Sequence, residues 1–176
     1  MTYTCWLIEP LPAGGGSQRE RERTLAYDIL CRLLDEEHPR LEHDDKGAPV
    51  LPDHPELSVS ISHCRQAVAV AVSPEGRVGI DVECRRRVGE DLMRRISTAE
   101  ELAAVHAAAD PTMAFLQLWT RKEAVLKMRG TGIQGFGSMV DALAAKDARI
   151  MDLETGLVDV VASLATDVKR FRYRQD

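Results

Sequence analysis

Asp81 and Glu83 stand two apart in the run VGIDVE at 78–83, whose apolar character predicts a β-strand. Residues i and i+2 of a strand share a face, so the two carboxylates can grip one cation together. Oxygen ligands of this kind suit magnesium, which takes one or two carboxylates plus substrate phosphates and waters. The plainer reading is a solvated acidic strand end paired with Arg85, Arg86 and Arg87. A second pattern is WTRKEAVLK at 119–127, in which Trp119, Glu123 and Lys127 recur every fourth residue on one stripe of an expected helix. There the plain alternative is a surface Glu–Lys pair worth about 0.2–0.5 kcal/mol beside a core tryptophan. The combination of a strand D-x-E with a helical E-x-x-x-K in one small domain favours chemistry. Were Asp81, Glu83 and Glu123 to converge, each carboxylate pair at about 4 Å would repel by roughly 4 kcal/mol at an effective dielectric of 20. A bound divalent cation is the simplest compensation. It would bridge a diphosphate, leaving Lys127 or Lys122 to neutralise the remaining phosphate charge.

Ser62 and His63 follow the next expected strand, where a hydroxyl and an imidazole can hydrogen-bond a phosphate at a loop. Cys64 invites a Cys/His nucleophile reading, but neighbours on an extended segment point to opposite sides, so that reading ranks low. His38, His43 and His54 lack zinc-ligand spacing and read as polar loop residues.

These side chains need elements to hold them. TYTCWLI at 2–8 favours a strand, and Gly14, Gly15 and Gly16 break the chain before Ser17, which with Glu20 makes a capping box. Leu25, Ala26, Ile29, Leu30, Leu33 and Leu34 continue that helix until His38 and Pro39 stop it. Pro49, Pro52 and Pro55 enforce an irregular connection with at most a short strand. Leu57, Val59 and Ile61 alternate with Ser58, Ser60 and Ser62, the period of a half-buried strand, and AVAVAV at 67–72 completes a hairpin. With VGIDVE as a third neighbour, the expectation is an antiparallel meander. Ser97 with Glu100 reads as another capping box, and Asp110 with Pro111 as N-cap and N1 of a helix running to Arg129 and ending at Gly130. A short helix near 138–145 and strands near 148–153, 157–165 and 168–173 finish the chain.

Length and composition bound the rest. The 176 residues suit one compact body, and 44% hydrophobic with 29% charged residues is ordinary globular usage, which excludes disorder and disulfide-stapled miniproteins. A net charge of −5 argues against whole-surface attraction to nucleic acid or anionic lipid. Cys5, Cys31, Cys64 and Cys84 contain no C-x-x-C pair, and the longest apolar run is far below the roughly 18 residues of a membrane span. The expectation is a cytoplasmic chain with reduced thiols, binding neither membrane nor nucleic acid.

In order and spacing, Gly47-Ala48-Pro49, Ser62-His63, VGIDVE, Ser97-x-x-Glu100 and WTRKEAVLK followed by Gly130-Thr131-Gly132-Ile133 resemble the 4'-phosphopantetheinyl transferases, specifically their pseudo-dimeric branch related to the surfactin-synthetase activator. The resemblance covers roughly 46–133. It implies an α/β (α+β) fold of two pseudo-symmetric halves, near 1–77 and 78–176, each with a small antiparallel sheet on a long helix, forming one catalytic domain that works as a monomer. It implies transfer of the phosphopantetheine arm from coenzyme A to a serine of an apo acyl or peptidyl carrier protein, releasing adenosine 3',5'-bisphosphate. Asp81, Glu83 and Glu123 would hold Mg2+; Glu123 would also serve as base and Lys127 would stabilise phosphate charge. Lys46, Ser62, His63, Lys122 and Lys127 would contact coenzyme A. Arg85, Arg86, Arg87, Arg94 and Arg95 offer local positive charge for an acidic carrier, and 169–174 reads as an edge strand guarded by charge. The competing readings are a magnesium-dependent phosphoesterase or nuclease, and a non-catalytic relative that only binds coenzyme A or a carrier.

Overall fold

A computed structural model describes residues 3–131, 136–144, 146–168 and 173–175. The expected strand at 168–173 and the Gly132-Ile133 end of the last motif fall largely outside them. The chain opens with β1 (Thr4–Pro10) and α1 (Gln18–Leu34). Ser17 caps α1 with Glu20 in the reciprocal box, and Asp35 ends it in the left-handed conformation, four residues before Pro39. Next come β2 (Glu42–His43), β3 (Pro49–Val50), β4 (Ser58–His63), β5 (Ala67–Ser73) and β6 (Val78–Cys84). The helices α2 (Glu90–Ile96), α3 (Ala99–Ala107), α4 (Pro111–Arg129) and α5 (Phe136–Val140) follow, then β7 (Arg149–Leu153), β8 (Val160–Thr166) and β9 (Tyr173–Gln175).

Among the described residues a four-stranded sheet has the order β4-β5-β1-β9, a three-stranded sheet the order β6-β8-β7, and β2 and β3 form a two-stranded ladder. Pairing is antiparallel except between β1 and the edge strand β9. Strand, long helix and two further strands thus recur: β1, α1, β4, β5, then β6, α4, β7, β8. In both runs the last strand sits between the other two. β5 is buried throughout. Its valines Val68, Val70 and Val72 pack on Ile29, Leu30 and Leu33 of α1, while Ala67, Ala69 and Ala71 face Val78, Ile80 and Val82 of β6. A strand covered on both sides reads as a continuous apolar run.

The expected meander does not form. β6 pairs with β8, Asp81 standing opposite Ser163, and meets the first sheet without a backbone ladder. Instead the N–H groups of Val78, Ile80 and Val82 donate to the hydroxyls of Ser58, Ser60 and Ser62 at 3.1, 3.0 and 3.3 Å. The serines on the polar side of this strand are therefore a seam between the sheets, with Ser60 and Ser62 buried. They satisfy donors that would otherwise be orphaned on a buried strand edge.

Ile80 and its even-numbered neighbours face the first sheet, so Gly79, Asp81 and Glu83 face the opposite way, toward α4. A Cβ on Gly79 would lie 2.0 Å from the Ala124 carbonyl oxygen, so only glycine lets α4 lie directly on β6. α4 itself is set by Asp110, whose carboxylate accepts from the Met113 N–H, by Pro111 at its start, and by left-handed Gly130 at its end.

Candidate functional site

The close approach at Gly79 brings Glu123 and Lys127 of α4 over Asp81 of β6. Lys127 Nζ donates to Asp81 Oδ1 at 2.7 Å and to the Ile80 carbonyl at 3.1 Å. Asp81 is buried, and its Oδ1 also accepts from the Ser62 hydroxyl at 2.8 Å. Glu83 pairs with Arg86, the guanidinium nitrogens lying 3.1 and 3.2 Å from its carboxylate oxygens. Arg86 also sits over the Trp119 ring, 5.7 Å from its centroid. The Trp119–Glu123–Lys127 stripe thus lies along the two acidic residues of the strand.

Burial pushes the Glu123 carboxyl up to about 7, and the neighbouring Asp81 and Glu83 charges add to the rise, while Lys127 opposes it. Two carboxylate oxygens here, Asp81 Oδ2 and Glu123 Oε1, are buried and without a hydrogen-bond partner. Leaving such acceptors unmet costs roughly 1–3 kcal/mol each, more when charged. A hard cation that binds through oxygen fits this donor set. The three carboxylates share a neighbourhood without closing into a cage: among the described residues no three His, Cys, Asp or Glu side chains already form a metal-ligand group. Lys127 and Arg86 hold Asp81 and Glu83 instead.

The other expected site residues divide. His63 is over half exposed at the end of β4, its Nδ1 3.1 Å from Glu22 of α1. Lys46 is exposed at the β2–β3 turn, where the Asp44 carboxylate accepts from the N–H groups of Lys46 and Ala48 and Gly47 adopts φ +82°. Ser62 differs from expectation: its hydroxyl donates to Asp81 and accepts from Val82, so in this arrangement it holds a carboxylate and the seam rather than facing a ligand. Lys122 differs more. One step along the helix turns it about 100° away from Glu123. It is fully buried, donating to the carbonyls of Ile96 and Val140 and to Glu101 at 2.6 Å.

Glu101 explains a further shift. The capping box forms with Thr98 and Glu101, not Ser97 and Glu100, because this register lets one carboxylate bond both the Thr98 N–H and Lys122. Of the basic residues, Arg85 pairs with Asp110 and Asp159, Arg86 with Glu83, and Arg94 with Glu90, so much of that charge is already met. A cleft of about 450 Å3 opens beside Lys127, walled by Ala48, Pro49, Leu51, Val59 and Met128. Among the described residues no helix is long and apolar enough to cross a membrane.

The model of the 4'-phosphopantetheinyl transferase superfamily matches residues 77–166, which hold every carboxylate of this site. The chain belongs to that superfamily. Among its relatives, the 4'-phosphopantetheinyl transferase AcpT of Escherichia coli strain K12 is 32% identical over 130 residues, 69% of this chain and 66% of that protein. The 4'-phosphopantetheinyl transferase Sfp of Bacillus subtilis strain 168 is 28% identical over 125 residues, 66% of this chain and 55% of Sfp. A putative 4'-phosphopantetheinyl transferase of Haemophilus influenzae is 32% identical over 127 residues, 66% of this chain and 54% of that protein. The chain therefore spans less than two thirds of the length of these relatives. Measured against the superfamily resemblance read from the sequence, the mixed α/β fold with small antiparallel sheets and long helices is as expected.

Sequence reasoning missed Glu22. Stepping back four residues from Ala26 along the apolar stripe of α1 lands on it, so helical periodicity carried the signal inside the charged run RERER at 19–23.

Proposed function

We propose that this chain is a 4'-phosphopantetheinyl transferase that moves the phosphopantetheine arm of coenzyme A onto a serine hydroxyl of an apo acyl or peptidyl carrier protein. The observation that carries the reading is the cluster of Asp81, Glu83 and Glu123 beside Lys127, with two buried carboxylate oxygens lacking partners, in a chain of this superfamily. Asp81, Glu83 and Glu123 would hold Mg2+, which when bound supplies positive charge against the diphosphate of coenzyme A.

Glu123 takes the proton of the attacking serine. Without a cation, burial and the neighbouring carboxylates push its carboxyl up to about 7; a bound cation would favour the ionised form, which is the form that accepts a proton. The serine oxygen forms a bond to the phosphorus that bears the pantetheine arm. The bond from that phosphorus to the bridging oxygen breaks, and adenosine 3',5'-bisphosphate leaves with the electron pair. Lys127 has one N–H beyond its two bonds to the strand, and it offsets charge on the transferring phosphate. His63 and, from the hairpin tip, Lys46 contact nucleotide phosphates, and the cleft beside Lys127 receives part of coenzyme A. The catalytic unit is the whole chain, its halves 1–77 and 78–176 working as a monomer in the cytoplasm.

The test incubates the protein with Mg2+, coenzyme A and a panel of apo carrier proteins, and follows each carrier by mass. The expected result is one phosphopantetheine added to a serine, with adenosine 3',5'-bisphosphate released in equal amount. Hydrolysed coenzyme A with unmodified carriers would point to a phosphoesterase, and bound but unchanged coenzyme A to a binding protein; either overturns the proposal.

A further inference from the structure

Helix α1 carries a charge where its pattern calls for an apolar side chain. Glu22 lies on the stripe continued by Ala26, Ile29, Leu30 and Leu33, and it is buried while Arg19, Glu20 and Arg23 of the same turns are exposed. Burying a carboxylate is costly unless its oxygens are bonded. Both have a polar neighbour: Oε1 accepts a hydrogen bond from Gln18 Nε2 at 2.6 Å, and Oε2 lies in ion-pair contact with His63, 3.1 Å from its Nδ1. Gln18 stands one turn earlier on the same stripe, so the helix presents a prepared carboxylate to the end of β4.

A carboxylate accepts hydrogen bonds, so this contact favours the form of His63 that carries a proton on Nδ1. That assigns the ring's two nitrogens. Nδ1 faces inward to a side chain that is 7% exposed, and Nε2 belongs to an imidazole that is 58% exposed. An imidazole tied at one nitrogen by a carboxylate has its rotation and tautomer set by that bond. With Nδ1 turned toward the carboxylate, Nε2 is the ring nitrogen left on the exposed side for a phosphate.

From this geometry we infer that Glu22 is a positioning residue for ligand binding: it locks His63 with Nδ1 inward so that Nε2 meets a phosphate of coenzyme A. The inference rests on the proposed contact between His63 and coenzyme A and adds the residue that aims it. Glu22 touches no reacting atom in this account and acts through His63.

The experiment compares Glu22→Ala, Glu22→Gln, His63→Ala and the double variant Glu22→Ala/His63→Ala, each checked for folding by circular dichroism. Glu22→Ala should raise KM for coenzyme A about tenfold with kcat nearly unchanged, the size of one charge-assisted hydrogen bond. Glu22→Gln retains an oxygen that accepts from Nδ1 and should recover most of that loss. The double variant should be no worse than His63→Ala, because the glutamate has nothing left to aim. A nitrogen–proton NMR correlation of the His63 ring should show Nδ1–H in the wild type and in Glu22→Gln, and a redistribution toward Nε2–H in Glu22→Ala. An unchanged KM in Glu22→Ala, losses that add in the double variant, or identical ring spectra would each overturn the inference. If His63→Ala leaves KM unchanged, the phosphate contact itself falls, while the ring spectra still decide whether Glu22 locks His63.

Discussion

Each long helix buries glutamate oxygens, and the two residues differ in their surroundings. Glu22 on α1 has both carboxylate oxygens engaged, one by Gln18 and one by His63. Glu123 on α4 has a buried oxygen without a partner, stands near two further carboxylates, and is pushed up to about 7. Three strands of each sheet follow the same order, β4-β5-β1 and β7-β8-β6, so this contrast arises from side chains rather than from that shared topology. A satisfied buried carboxylate orders its neighbours. An unsatisfied one is held at a cost by the surrounding fold and is available to a cation or a proton.

The comparison breaks most sharply at Glu123. Glu123→Gln should lower kcat/KM for carrier modification by about 1000-fold or more, close to 4 kcal/mol of transition-state stabilisation, with an unchanged circular dichroism spectrum. Gly79→Ala should act through the fold instead. Its methyl would collide with the backbone of Ala124 and Met128, costing about 3 kcal/mol and lowering Tm by roughly 6–12 °C, readable by calorimetry. His63→Ala should raise KM for coenzyme A about tenfold in steady-state kinetics and leave kcat within a factor of two or so.

The smallest effect is on stability against pH in metal-free protein. Between the ordinary carboxyl value of 4.5 and about 7, folded Glu123 keeps a proton that the unfolded chain has lost. Its contribution to stability is therefore greatest below 4.5 and is lost as pH rises through 7. A series of melts should show that decline, and Glu123→Gln should flatten it. Mg2+ should counter it by favouring the ionised carboxylate.

What was legible in the sequence was local. The caps at Ser17, Asp110 and Gly130 and the β4–β5 hairpin depend on residues a few positions apart, and each forms as read. The partner of β6 lies about eighty residues away in β8, and no local pattern names it. The same applies to the serine seam: alternating serines look identical whether they face water or the N–H groups of another strand. The stripe from Trp119 to Lys127 was readable from helical spacing, and its meeting with Asp81 depends on the lack of a side chain at Gly79. Lys122 read as a phosphate contact alongside Lys127, but it stands one step along the helix from Glu123 and points elsewhere, buried and paired with Glu101.

The most direct measurement is calorimetric titration of the metal-free protein with Mg2+ in the presence of coenzyme A, repeated on Asp81→Asn and Glu123→Gln. The account expects one ion per chain near neutral pH, proton release that disappears in Glu123→Gln, and affinity at least tenfold weaker in both variants. Magnesium binding that is equal in all three proteins would contradict it.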